Sequence, residues 1–324
     1  MKIGLFLPAP VSLSPYITGA VQALMNDGGL TFDVIASCSG AALPAGYAAM
    51  NAIDELADIW ERLENKDWAE VNWRDTLKGA LLWSPSLMDN RPVHRTAIDG
   101  HIVEKRLRPG VRWRLNAVRL TTGQQVVWDY PGETLPLETA VHLAMAVPVL
   151  FPALDHDGTP WVDAATLNGS PLEELILSTG VERVFFVGHA PQAPLTDVAG
   201  NALKILMTAL EWNQFSETPG SIKHANDVSD FVRAWQADRA AVDQSLGELI
   251  EDVALRAELL AEVDRTYQSA AFPIERAPVE IIPILPQERL DGLFGDFQTT
   301  RSRQLLELGR LDTRRVLKQL DSQA

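Results

Sequence analysis

The chain has 324 residues, 46% hydrophobic and 22% charged, which excludes bulk disorder and is enough apolar material for a sizeable core. Twenty-eight basic residues against 43 acidic ones leave a net charge of −15, a field that repels phosphate backbones and anionic headgroups over about a Debye length. Nucleic acid is thereby excluded as a partner, whereas a neutral lipid, thioester or small ester is not.

Cys38 is the single cysteine. It rules out an intrachain disulfide or thiolate metal cluster and fits a reducing compartment. The opening stretch is apolar but holds Pro8, Pro10 and Pro15 and lacks a cleavage pattern after a basic stretch, so it reads poorly as a signal peptide. No later stretch sustains the roughly 18 to 20 apolar residues of a membrane span. A cytoplasmic protein is expected. Peripheral membrane contact and oligomeric state are left open.

Lys2 to Leu7 is an apolar run stopped by Pro8, the pattern of a buried strand, and Ile17 to Met25 has helical spacing before Asn26-Asp27-Gly28-Gly29. Phe32 to Ala36 predicts a second buried strand. It runs into the small-residue turn Ser37-Cys38-Ser39-Gly40 and an Ala-rich helix over Ala41 to Met50. Repeated strand-to-helix units predict a three-layer α/β/α domain on a mainly parallel sheet.

Ile53 to Leu63 predicts an amphipathic helix, and Asn90-Arg91-Pro92 the cap of another. Trp60, Trp68, Trp73 and Trp83 lie around and between these segments, and as large aromatics they read first as core residues, with the lining of an acyl pocket as the alternative. Arg112 to Thr122 and Gln125 to Asp129 alternate about Thr122-Gly123 as a hairpin. A helix is expected from Leu137 to Phe151, with the sheet resuming at Trp161 to Asp163 after the Asp157-Gly158 turn. Arg183 to Gly188 and Val279 to Leu285 predict further central strands. Between them, 202–267 reads as a helical insertion or cap with a loop near Pro219-Gly220, within one domain spanning 1–324. Arg301 to Leu320 predicts a final amphipathic helix.

A serine on a sharp strand-to-helix turn presents its hydroxyl at a helix N-terminus, which suits a nucleophile. Ser39 has that context, and the Gly40 N–H next to it lies where an oxyanion would develop. The same residues also suit a plain N-cap and tight turn. Cys38, beside Ser39, reads as an inert buried thiol, because the residue before such a nucleophile points into the protein.

Several ordered segments resemble patatin-like phospholipases. Phe32 to Leu43, FDVIASCSGAAL, is similar to that family's strand, nucleophile elbow and helix, and places Ser39 on its catalytic serine. Ala144 to Ala165, AMAVPVLFPALDHDGTPWVDAA, is similar to the segment that ends in the catalytic aspartate, and places Asp163 there. Asn168 to Leu172, Gly180 to Val187, Leu87 to Pro92 and Gly295 to Leu320 extend the resemblance over most of the chain outside the helical region after Asn201.

The resemblance implies a Ser-Asp dyad acting on phospholipids, lysophospholipids or other acyl esters, with no metal or organic cofactor. A dyad leaves His156 and His189 without a catalytic role. The glycine motifs depart from the family's. The three consecutive glycines of its first loop fall on Ala9, Pro10 and Val11, its basic residue on Leu13 and its next glycine on Ser14. The elbow's flanking glycines have become Ser37 and Ala41, and the glycine after the aspartate Ala164. Proline has no N–H to donate, so the remaining oxyanion donors are Gly40 N–H, Val11 N–H and the Ser12 hydroxyl. Three readings follow: lipid acyl hydrolysis; acyl transfer or hydrolysis of a specialised acyl donor; or a silent relative that binds an acyl chain or a partner.

Overall fold

In the computed structural model, the described residues are 1–9, 13–69, 86, 88–167, 171–189, 202–268, 278–288, 290 and 299–322, the side chains of 65, 202–218 and 267 excepted. The main elements follow in the order β1 (Ile3–Leu7), α1 (Ser14–Asn26), β2 (Val34–Ser37), α2 (Ala42–Ala49), α3 (Ile53–Trp60), β3 (Arg112–Arg119), β4 (Gln124–Tyr130), α4 (Leu137–Ala144), β5 (Leu154–His156), β6 (Thr159–Asp163), β7 (Arg183–Val187), α5 (Ala202–Leu249), α6 (Val253–Tyr267), β8 (Glu280–Ile284) and α7 (Thr299–Asp321).

Strand residues alternate between two apolar cores. Leu5, Leu7, Ile35, Phe185 and Val187 join the first, with buried residues of α1, α2, α3, α4 and α7. Phe6, Val34, Ala36, Val184 and Phe186 join the second, with Leu172, Leu175 and Ala225 of the opposite layer. A strand sends neighbours to opposite faces, so an apolar run without alternation marks a strand covered on both. The result is the expected three-layer α/β/α arrangement around a largely parallel sheet.

The sheet runs β5-β6-β3-β2-β1-β7-β8, with β4 on the other edge of β3. β1 pairs in parallel with β2 and β7, β2 with β3, and β7 with β8. One detail of register positions the site. Trp113 to Leu115 pair with β4 and β2 together, and Ala117 to Arg119 pair with β4 and β6 together. A strand has two edges, so β2 and β6 share the same edge of β3. They run toward each other, Ser37 opposite Leu115 and Asp163 opposite Ala117. Their C-terminal ends therefore meet beside Asn116.

Four expectations need correction. The helix from Leu137 stops at Ala144 rather than Phe151. Pro148 lacks an N–H and disfavours helix at Val147, while the Ala146 carbonyl accepts the Asp163 N–H at 2.9 Å. Asn90 makes no side-chain cap at its helix; the Asp89 carboxylate accepts the Arg91 N–H instead, at 2.9 Å. No loop interrupts α5 at Pro219-Gly220, where the helix continues. The chain turns at 250–252, where Asp252 caps α6 by accepting from Ala254 and Leu255 at 2.9 and 3.2 Å. Finally, β8 ends the sheet rather than lying at its centre, which suits Pro283 within it because an edge strand tolerates a missing donor.

Trp60 and Trp68 are buried in the first core, and Trp60 donates to Thr18 Oγ1 at 2.9 Å. These two are core residues. Trp73 and Trp83 lie outside the described residues.

Candidate active site

β2 stays extended through Cys38 (φ −121°, ψ 146°). The next residue, Ser39, has φ 56°, a left-handed conformation that non-glycine residues rarely adopt and that stores strain at functional turns. The chain then passes through a single turn, Ser39–Ala41, into α2. Gly40, Ala41 and Ala42 are all buried, so small side chains are what let the turn sit against the sheet. α1 pins it from the side: Ser14 Oγ donates to the Gly40 carbonyl at 3.1 Å.

Asp163 arrives from the opposite direction. At the end of β6 its Oδ1 accepts the Ala165 N–H at 2.8 Å, and its carbonyl accepts from Thr166 Oγ1 at 2.8 Å. Together with the Ala146 contact, these fix the carboxyl at the junction of β2 and β6. Ser39 and Asp163 are each 1% exposed. The Ser39 hydroxyl lies near enough to draw the carboxyl pKa down, yet Ser39 Oγ and Asp163 Oδ2 have no aligned hydrogen-bond partner among the described residues. Burial is the larger influence and pushes Asp163 up to about 7 from 3.8, against the pull of Ser39 and the Ala165 N–H. A carboxylate poised near neutrality can take a proton and give it back.

No histidine figures among the groups that set the ionisation of Asp163. His189 is buried beyond the end of β7, where desolvation holds its pKa down at about 4. His156 sits at the surface turn, 3.6 Å from Asp157.

The altered glycine positions acquire physical reasons. Ser37 accepts from the indole of buried Trp113 at 3.0 Å, a bond glycine could not make. Leu13 is buried in the first core, so the site of the family's basic residue is here a packing position. Ala41 and Ala164 are fully buried and small. Val11 and Ser12, the expected oxyanion donors from the first loop, lie outside the described residues. Gly40 is buried at the turn beside Ser39.

Cys38 points into the second core and is fully buried. Desolvation, then the nearby Asp163 and Glu174, hold its thiol well above the ordinary range. Only the thiolate reacts with electrophiles. Native protein is expected to leave Cys38 unmodified by iodoacetamide, with one thiol reacting after urea unfolding; modification of the native state at a comparable rate would contradict the burial. Asn116, beside Cys38, was not singled out from the sequence. Its one signal there is a lone amide in the buried run Leu115-Asn116-Ala117-Val118.

A strained serine between a parallel strand and a helix, in a three-layer α/β sheet, defines the nucleophile-elbow class of architecture. Residues 12–176, half of the chain, match the family model for patatin-like phospholipases. The chain belongs to that family, and membership implies a lipid acyl hydrolase. Among solved structures, VipD from Legionella pneumophila is similar over 98% of this chain and 67% of its own, at 11% identity and a TM-score of 0.46. No curated protein matches. Among the described residues no helix is long and apolar enough to cross a membrane.

Proposed function

We propose that the protein hydrolyses carboxylic esters of lipids, with Ser39 as nucleophile and Asp163 as general base. The observation that carries this reading is the left-handed Ser39 set against a buried carboxyl whose Oδ2 has no aligned partner. Backbone strain and a desolvated acid both cost stability, and such costs concentrate where function requires them. This also weighs against a silent relative.

In the first half-reaction, Asp163 takes the Ser39 proton as Oγ attacks the acyl carbon. The tetrahedral oxyanion forms beside the Gly40 N–H, with Val11 N–H and Ser12 Oγ as further donors on the sequence argument. Collapse expels the alcohol, which receives the proton from Asp163, and leaves an acyl-serine. Water, deprotonated by the same carboxylate, then releases the fatty acid and restores Ser39. The net charge of −15 favours neutral or zwitterionic lipids over anionic ones. Single-domain organisation, with 202–267 as an insertion, and a cytoplasmic setting for the lone thiol belong to the same proposal.

The test is a serine-directed fluorophosphonate with peptide mass spectrometry. Wild-type protein is expected to carry the adduct on Ser39, Ser39→Ala to carry none, and Asp163→Asn to label at least roughly 1,000-fold more slowly. Folded wild-type protein that takes no label, or takes it elsewhere, sinks the assignment.

A further inference from the structure

Asn116 is fully buried, and neither its Oδ1 nor its Nδ2 has an aligned hydrogen-bond partner among the described residues. Leaving such an amide unsatisfied forfeits the hydrogen bonds it made to water, so an apolar residue of the same size would serve the fold better. Its place gives the reason it stands there. It occupies the β3 position between Leu115, opposite the end of β2, and Ala117, opposite the end of β6.

Leu115 and Ala117 face the first core, so by strand alternation Asn116 faces the second, the core that holds Cys38. The amide lies close enough to stabilise the Cys38 thiol's charged form. Across β3 it is opposite Val127, which is packed against the same core. The amide thus sits under the gap between two strand ends, on the same face as the residue that immediately precedes the strained serine.

We propose that Asn116 is a positioning residue for the dyad: through Cys38 it holds the end of β2 in register with the end of β6, so that Ser39 stays in reach of Asp163. This rests on the dyad reading above. On its β1 edge the end of β2 is held by the Cys38 N–H, which donates to the Leu7 carbonyl at 3.1 Å; on the β3 edge, where pairing ends at Ser37 opposite Leu115, Asn116 is the next side chain on the Cys38 face. A misplacement of the nucleophile by about 1 Å costs on the order of 100-fold in rate.

The experiment compares Asn116→Leu, Cys38→Val and the double variant by fluorophosphonate labelling and by melting temperature. Asn116→Leu is expected to melt at or above the wild-type temperature while labelling on the order of 10- to 100-fold more slowly. The double variant is expected to label no more slowly than the slower single variant, because both substitutions remove one contact. Cys38→Ser, which keeps a hydrogen-bonding group beside the amide, is expected to recover most of the rate lost in Cys38→Val.

Asn116→Leu labelling at the wild-type rate overturns the proposal, as does a rate loss that adds to that of Cys38→Val. If Asn116→Leu does not fold, the Cys38→Ser and Cys38→Val pair decides alone, equal rates in the two overturning it. A wild type that takes no label overturns the dyad and this proposal with it. Labelling of wild type and Asn116→Leu alike overturns only the role of Asn116.

Discussion

Ester hydrolysis is expected to rise with pH through a midpoint near 7, and Asp163→Asn is expected to abolish it while making the protein more stable at neutral and alkaline pH. As the proposed base, Asp163 must be ionised to take the Ser39 proton, and burial holds its pKa at about 7. Below that midpoint the active fraction falls tenfold per pH unit.

The same burial sets the stability. Asp163 binds its proton more tightly folded than unfolded, so its contribution is full below the unfolded pKa of about 4 and is lost as the pH rises through about 7. At pH 8 the ionised carboxylate therefore costs about 4 kcal/mol relative to a neutral group. An asparagine there keeps an oxygen for the Ala165 N–H and carries no charge, so its advantage over the wild type grows between pH 5 and pH 8. Turnover is expected to fall by at least roughly 10⁴-fold, toward the ~10⁶-fold scale of losing the base from a nucleophile–base pair. Thermal melts of both proteins across that range, with an initial-rate profile on a short-chain ester, measure all three effects. A flat rate profile from pH 6 to 8, or a variant less stable than wild type at pH 8, would remove Asp163 from the role of base.

The opposed effects at Asp163 mark where sequence stops being informative. The elbow was legible because its context is local: Val34 to Ser37 is a short apolar strand, Gly40 to Ala42 are small, and a helix follows at once. Asp163 was placed by resemblance alone. Nothing within 159–163 announces that β6 ends head to head with β2, since that meeting depends on both strands registering against β3.

The missed features share this non-local origin. β5 has three residues, too few to show a period, and forms because β6 offers it an edge. α4 stops early because the Ala146 carbonyl is taken by Asp163, 17 positions on. Asn116 looks ordinary in sequence, and only register shows it beneath the strand junction. Ser37 in place of an expected glycine reads as erosion of a motif until Trp113, on the adjacent strand, is found to donate to it.

Gly309→Ala is expected to cost the protein about 3 kcal/mol or more and to slow labelling of Ser39 in whatever fraction remains folded. α7 crosses α1 at two glycines, backbone against backbone. A Cβ on Gly309 would lie 2.1 Å from the Tyr16 carbonyl oxygen and 2.7 Å from the Ala20 nitrogen, and one on Gly19 would lie 2.0 Å from the Leu306 carbonyl oxygen. Main-chain atoms inside two helices cannot yield as a side-chain tip does, so the helices must separate, and overpacking of this kind costs about 1–3 kcal/mol before any bonds are lost. Bonds are lost here: Tyr16 donates to Asp312 at 3.0 Å and Thr313 to the Ala20 carbonyl at 3.3 Å across the same contact, both buried.

The crossing matters to the chemistry because α1 begins at Ser14, whose hydroxyl holds the Gly40 carbonyl. Displacing α1 therefore pulls on the turn that carries Ser39, the proposed nucleophile. Gly220→Ala is the control: it is exposed, lies within α5, and has nothing within 4 Å of a Cβ, so the same substitution should stabilise by about 1 kcal/mol through helix propensity. Urea melts of the two variants decide the matter. A Gly309→Ala midpoint equal to that of the wild type would mean that α7 can leave α1 at no cost, and that the nucleophile turn is held from the sheet alone.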